Sequence, residues 1–168
     1  MKKVLCLGCV LLVPLATAQT CNDAISAGTW DSRFTLDGNE VTDTETGLVW
    51  QRCTLGQTGI DCSGGTAKTY NWRQALQAAE TERLTTGVSW RVPNFKELAS
   101  ITDGKCHNPA INTAFFPNTL SSFYWTASPS AYPEGGLDAW SFSIEFSGGG
   151  SFHLSRSRDM YVRLVRDK

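Results

Sequence analysis

The chain predicts an α+β domain: a largely antiparallel sheet with two helices and two disulfides. Three observations carry this. Apolar and polar residues alternate near both ends of the chain, the signature of strands with one buried face. Between them, two segments have helical spacing, and each opens on a residue that can cap reciprocally. Four cysteines follow a leader-like N-terminus, enough for two cross-links.

The elements follow in order. Arg33 to Leu36 and Glu40 to Asp43 flank Asp37-Gly38-Asn39, a hairpin signal. Thr44 to Gly47 turns the chain again into a short strand from Leu48 to Cys53. A Gly-, Thr- and Ser-rich loop occupies residues 54–69. Asn71 then caps a helix with Gln74 as its reciprocal partner, and Trp72, Ala75, Leu76 and Ala79 share one face. That helix is expected to end before Thr85-Thr86-Gly87. A second helix opens at Asn94 with Glu97 as partner, and Asp103-Gly104 is expected to stop it. In the long connection from Lys105 to Ser122, Ile111, Phe115 and Phe116 are expected to pin the chain to the body. Strand pattern returns from Phe123 to Ser128. It is clearest where Trp140, Phe142, Ile144 and Phe146 alternate with Ser141, Ser143 and Glu145. Gly148-Gly149-Gly150 turns into Ser151 to Ser155, and a closing strand alternates from Met160 to Val165.

The ends and the composition bound the class. Lys2 and Lys3, a short apolar run from Val4 to Leu15, and Ala16-Thr17-Ala18 read as a signal peptide over residues 1–18. A single domain would then fill residues 19–168, in the periplasm or outside the cell. Thr20 before Cys21 argues against lipidation, and no later segment is long and apolar enough for a membrane helix. Cys6 and Cys9 fall in the leader. Cys21, Cys53, Cys62 and Cys106 remain, and four cysteines allow three pairings. The eight-residue loop between Cys53 and Cys62 favours that bridge, which leaves Cys21 with Cys106. A zinc site is disfavoured, because the mature chain has no Cys-x-x-Cys pair. Removing Lys2 and Lys3 leaves 13 of the 15 basic side chains against 16 acidic ones, a net of −3. That balance, the export signal and the lack of any motif exclude nucleic acid as the expected partner.

Five blocks in order carry a family resemblance: Asp43 to Trp50, Trp72 with Ala75, Trp90 to Leu98, Tyr124 to Ser128, and Val162 to Arg166. Ile111-Asn112 and Phe115-Phe116-Pro117 add a sixth. Together they resemble the Lcl C-terminal domain family, named for the terminal domain of a bacterial collagen-like adhesin. The resemblance covers nearly all of the chain from about Thr35. Val92 and Asn94 replace the family's usual Leu and Thr and keep their chemistry. The Trp-Arg-x-Pro block and the Arg-containing last strand are also similar to formylglycine-generating and C-type-lectin-like domains, in which the N- and C-terminal strands meet. This implies a C-type-lectin-like architecture. The lectins' Glu-Pro-Asn and Trp-Asn-Asp calcium motifs are absent, so the resemblance does not extend to calcium-dependent sugar binding.

What the resemblance implies is an exported, non-enzymatic, adhesin-like module that recognises a glycan or a cell-surface protein and needs no cofactor or metal. The alternatives are a formylglycine-generating-type enzyme or a structural subunit of a cell-envelope assembly. The residues that favour binding are C-terminal. His153, Arg156, Arg158, Arg163, Arg166 and Lys168 cluster within sixteen residues. Arginine matches sulfate, phosphate and carboxylate groups bidentately, so an anionic polysaccharide fits this segment. Arg156, Arg158, His153 and Tyr132 are the candidate contacts, with loops 54–69 and 129–137 beside them. The other motif residues have structural readings. Asp43 is a turn former and Glu97 a capping partner. Arg91 is expected on backbone carbonyls, and Arg163 and Arg166 brace the last strand. Trp50, Trp90 and Trp125 are expected in the core, and Trp30 on the surface.

Overall fold

The computed structural model describes residues 18–25, 30–131 and 139–168, with only the backbone of Trp30 and Asp31. Nearly all of the leader, Cys6, Cys9, Tyr132 and the side chain of Trp30 therefore lie outside the described residues. The described elements run in order: β1 (Thr20–Cys21), one helical turn α1 (Trp30–Arg33), β2 (Phe34–Asp37), β3 (Glu40–Asp43), β4 (Leu48–Gln51), β5 (Gln57–Thr58), β6 (Gly64–Gly65), α2 (Trp72–Thr86), α3 (Phe95–Ser100), β7 (Cys106–His107), β8 (Phe123–Pro129), β9 (Trp140–Glu145), β10 (Gly150–Ser155) and β11 (Val165–Asp167). Four strands form one antiparallel sheet in the order β11-β4-β3-β2, and three form another in the order β10-β9-β8. The last strand thus lies beside β4, so the two ends of the family's motif set share one sheet.

Strand alternation builds two cores. Along β4, Leu48 and Trp50 enter one cluster with Phe34, Leu98, Ile101, Phe116 and Phe146, while Val49 enters a second with Ala75, Ala79, Trp90 and Trp125. The same switch occurs between Tyr124 and Trp125 on β8, and between Val165 and its neighbour Leu164. Successive side chains point to opposite faces, so a strand covered on both sides must be apolar throughout. Helix α3 covers the first cluster and α2 the second. Both helices open on the expected reciprocal caps. Asn71 Oδ1 accepts from the Gln74 N–H at 3.0 Å and Asn94 Oδ1 from the Glu97 N–H at 2.9 Å. Each such cap stabilises its helix by about 1 kcal/mol.

The disulfides are Cys53–Cys62 and Cys21–Cys106, the pairing favoured from loop length. The first closes the loop that carries β5 and β6. The second joins β1 to β7, where Cys21 and Cys106 stand opposite each other in register.

Three local expectations need correction. Helix α2 continues through Thr85 and Thr86 to Thr86 itself, because their hydroxyls donate back to the carbonyls of Thr81 and Glu82 at 2.8 and 2.7 Å. Gly87 then ends it in the left-handed region at φ 72°. Helix α3 stops at Ser100, before Asp103-Gly104. The closing strand is short. Only residues 165–167 pair with β4, while 160–164 thread through the interior, bridged to Tyr70 and Tyr124 by Met160 and Tyr161. On β9 the covered polar face is also notable: Ser141 and Ser143 are fully buried, whereas Trp140 and Phe142 are half-buried.

Candidate functional site

The C-terminal basic run is divided by the fold. Arg163 is fully buried. Its Nη1 donates to the carbonyls of Gln51, at 3.0 Å, and of Arg52, and its Nη2 to Thr119 Oγ1 at 2.7 Å. The guanidinium lies over the Phe116 ring, 4.9 Å from its centroid. Burial lowers its pKa to about 10, which leaves it charged at neutral pH. Arg166 donates to Glu40 at 2.6 Å and lies 5.6 Å from the Trp90 ring centroid. Arg163 therefore binds the backbone carbonyls expected of Arg91. Arg91 instead donates to both oxygens of Glu97, at 2.7 and 2.9 Å, and to Asp167 at 3.0 Å. Its pKa is raised, chiefly by the hydrogen bonds it donates to Glu97. Glu97 closes the α3 cap as well, accepting from the Asn94 N–H at 2.7 Å.

Asp43 is the expected turn former, accepting from the Glu45 N–H at 3.1 Å. It has a partner the sequence did not suggest. Arg33 donates to both its oxygens, at 2.8 and 2.5 Å, and Thr46 Oγ1 donates at 2.6 Å. Burial pushes the Asp43 pKa up, but the bonds from Arg33 and Thr46, the nearby positive charge and the Glu45 N–H outweigh it, so the net shift is downward. Trp50, Trp90 and Trp125 are buried as expected.

The surface candidates are His153, Arg156 and Arg158. His153 is exposed on β10, where its Nδ1 shares a hydrogen bond of 2.6 Å with the buried Ser130 hydroxyl and its ring contacts Phe142. Arg158 is exposed, two residues beyond Arg156. Arg156 is the built position. Its N–H donates to the Ala139 carbonyl at 2.8 Å, and its own carbonyl accepts from the Trp72 N–H at 3.1 Å. This ties the end of β10 to the first residue of α2. Its Nε donates to the buried Ser141 hydroxyl at 2.8 Å. Its guanidinium carbon sits 3.9 Å from the centroid of the Trp72 ring. The indole is fixed in turn, because its Nε1 donates to the Thr126 carbonyl at 2.9 Å. A flat cation is thus laid on a flat ring, with both held from behind.

This pair borders an open depression of about 790 Å³, lined by Asn71, Trp72, Arg73, Pro129, Arg156 and Ser157. No acidic residue stands in the first turn of α2, and Arg73 is exposed there. The positive end of the helix dipole adds to the same sign. The depression therefore presents two guanidinium groups, an indole and the N-terminal end of a helix. His153 and Arg158 do not line it, and loop 54–69 lines a different cleft, with Trp90 and Glu82. The sequence reading missed Trp72 and Arg73. Trp72 was assigned to the apolar face of α2. Its place as the first helical residue was the available signal, since an apolar face ends there and its last side chain overhangs the helix mouth.

Residues 39–166 match the Lcl C-terminal domain. The chain belongs to the Lcl C-terminal domain family. Comparison with curated proteins finds no match to the chain. The motif blocks of this Lcl domain now have places: the β3–β4 hairpin, the start of α2, the cap of α3, the core strand β8, and the Arg163–Arg166 segment that bridges the two cores. Among the described residues, no helix is long and apolar enough to cross a membrane. The two disulfides are compatible with an exported protein.

Proposed function

We propose that this Lcl domain is an exported, non-enzymatic, adhesin-like binding module whose ligand is an anionic glycan, sulfated or uronic. Family membership suggests a binding module. The observation that carries the glycan reading is the guanidinium of Arg156 held 3.9 Å above the Trp72 ring at the edge of an open depression. A sugar ring can stack on an aromatic face, and a guanidinium beside it fits a sulfate or carboxylate in a bidentate way. Arg73 lines the same depression, and Arg158 is exposed two residues beyond Arg156. The non-enzymatic reading is supported by the cysteines: the four described ones are all in disulfides, which leaves no thiolate for formylglycine-generating-type chemistry among the described residues.

The test is a glycan array probed with the mature domain at low and physiological salt. Binding to sulfated or uronic glycans that weakens with salt and disappears in Arg156→Ala/Arg158→Ala supports the reading. Binding confined to neutral glycans, or none at all, sinks it and favours a protein partner in an envelope assembly.

A further inference from the structure

A second cleft lies beyond the other end of α2, and its chemistry is the reverse of the first. It holds about 380 Å³ between the β3–β4 hairpin, the loop closed by Cys53–Cys62, and the last turns of α2. That volume is at the small end of ligand pockets. Trp72 and Glu82 are ten residues apart, so the two sites sit about 15 Å from each other along one helix.

Two acidic side chains line this cleft, Glu40 and Glu82. They are not equivalent. Glu40 is neutralised by Arg166 at 2.6 Å. Glu82 is half-buried, and its carboxylate has no hydrogen-bond or ion-pair partner among the described residues. It is the uncompensated charge of the cleft. The amides of Asn39 and Gln51 also line it, and their side chains make no hydrogen bond to a described residue. The same holds for the indole N–H of Trp90, which forms an aromatic wall. Two other polar groups there are already used: Gln57 bonds the Thr54 N–H and the Asn118 carbonyl, and Thr54 bonds the Tyr124 hydroxyl. An indole wall, two uncommitted amides and one unneutralised carboxylate thus converge on a space of small-molecule size. Amides exchange hydrogen bonds with hydroxyl groups in both directions, and a lone carboxylate favours an ammonium.

We infer that this cleft is a second binding site, for a small polyhydroxylated cation of the amino-sugar class, with Glu82 as its charge partner. The site is separate from the Arg156–Trp72 depression and does not depend on what that depression binds. The ammonium could come from a free hexosamine or from the end of a deacetylated amino-sugar chain. The shared chemistry is a primary ammonium flanked by hydroxyls.

The experiment is an NMR titration of the mature domain with glucosamine, N-acetylglucosamine, glucose and a short glucosamine oligomer. The expected result is saturable binding of glucosamine that shifts the Trp90 indole and Glu82 signals. N-acetylglucosamine and glucose should bind at least about tenfold more weakly, because both lack the charge. Glu82→Gln should remove the preference for glucosamine, while Arg156→Ala/Arg158→Ala leaves it unchanged. Glu82 is on a helix surface, so this substitution tests the site without endangering the fold. Tighter binding of the oligomer than of the monomer identifies a chain end as the source, and equal binding identifies the free sugar. Equal affinity for the charged and neutral sugars, no saturable shift, or shifts centred on Trp72 would each overturn the proposal.

Discussion

Arg156 and Arg163 are seven residues apart and do opposite things. Arg163 is sealed in the interior, where its two terminal nitrogens bond two backbone carbonyls and a threonine hydroxyl while its Nε has no partner, and no carboxylate is in reach among the described residues. Arg156 lies at the surface, stacked on an indole at the mouth of a depression. One holds two parts of the fold together and the other borders an open depression. A basic stretch of sequence is therefore not a basic surface. Which arginines face solvent is decided by strand alternation and by which carbonyls the chain leaves unpaired.

The sharpest way to break this contrast is to truncate both. Arg163→Ala strands the acceptors it satisfies and opens a cavity beside Phe116, so it should cost on the order of 4 kcal/mol in urea unfolding. Arg163→Met fills the same space and should recover about 1 kcal/mol or more of that loss. If Arg163→Ala left the unfolding midpoint unchanged, the buried hub would not be structural.

The next largest effect bears on the same hub. The carbonyls that Arg163 binds belong to Gln51 and Arg52, immediately before Cys53. Replacing Cys53 and Cys62 together with serine frees a loop of short separation and should cost about 2.5 kcal/mol on chain-entropy grounds. The loss should be less than additive with Arg163→Ala, because both changes loosen one segment. Full additivity, measured by a double-mutant cycle, would separate the loop from the hub.

A third arginine sharpens the comparison by pH. Arg33 is neutralised by Asp43 rather than by carbonyls. The folded pKa of Asp43 is below its ordinary value of 3.8, so its stabilisation is complete above that pH and is lost as pH falls through the folded value. Stability should therefore decline below about pH 4, and Asp43→Asn should flatten part of that decline while lowering stability at neutral pH by about 2 kcal/mol. An unchanged acid limb in Asp43→Asn would assign the decline to other carboxylates.

The smallest stability effect belongs to Arg156. Its stack is partly exposed, so Arg156→Ala should cost less than about 1 kcal/mol, and its consequence should be read in binding rather than in unfolding.

Much of the fold was legible in the residues. Asn71 with Gln74 and Asn94 with Glu97 gave both helix starts, because a reciprocal cap is a local event. The Gly38 turn fixed the first hairpin for the same reason, since its φ of 56° suits glycine. The Cys53–Cys62 bridge followed from a short loop. The roles of the arginines were not legible. Arg163, and not Arg91, took the backbone carbonyls expected of Arg91, because the choice depends on what lies across the fold: Glu97 and Asp167 beside Arg91, Gln51 and Arg52 beside Arg163. The end of α2 was also misplaced, because Thr85 and Thr86 read as turn residues although their hydroxyls can bond the preceding helical turn. The depression at Trp72 was hidden for a related reason. It is assembled from α2, β8 and the end of β10, which only the folded chain brings together.

The division of labour among these arginines is tested most directly by binding isotherms for one sulfated oligosaccharide at low salt, comparing the parent domain with Arg156→Ala and Arg166→Ala. Both variants lose one positive charge from the same stretch, but only Arg156 borders the depression. The expected result is a loss of about tenfold or more in Arg156→Ala and a change within about twofold in Arg166→Ala. Equal losses in the two variants would mean that net charge, and not the Arg156–Trp72 shelf, governs binding, and would contradict the account.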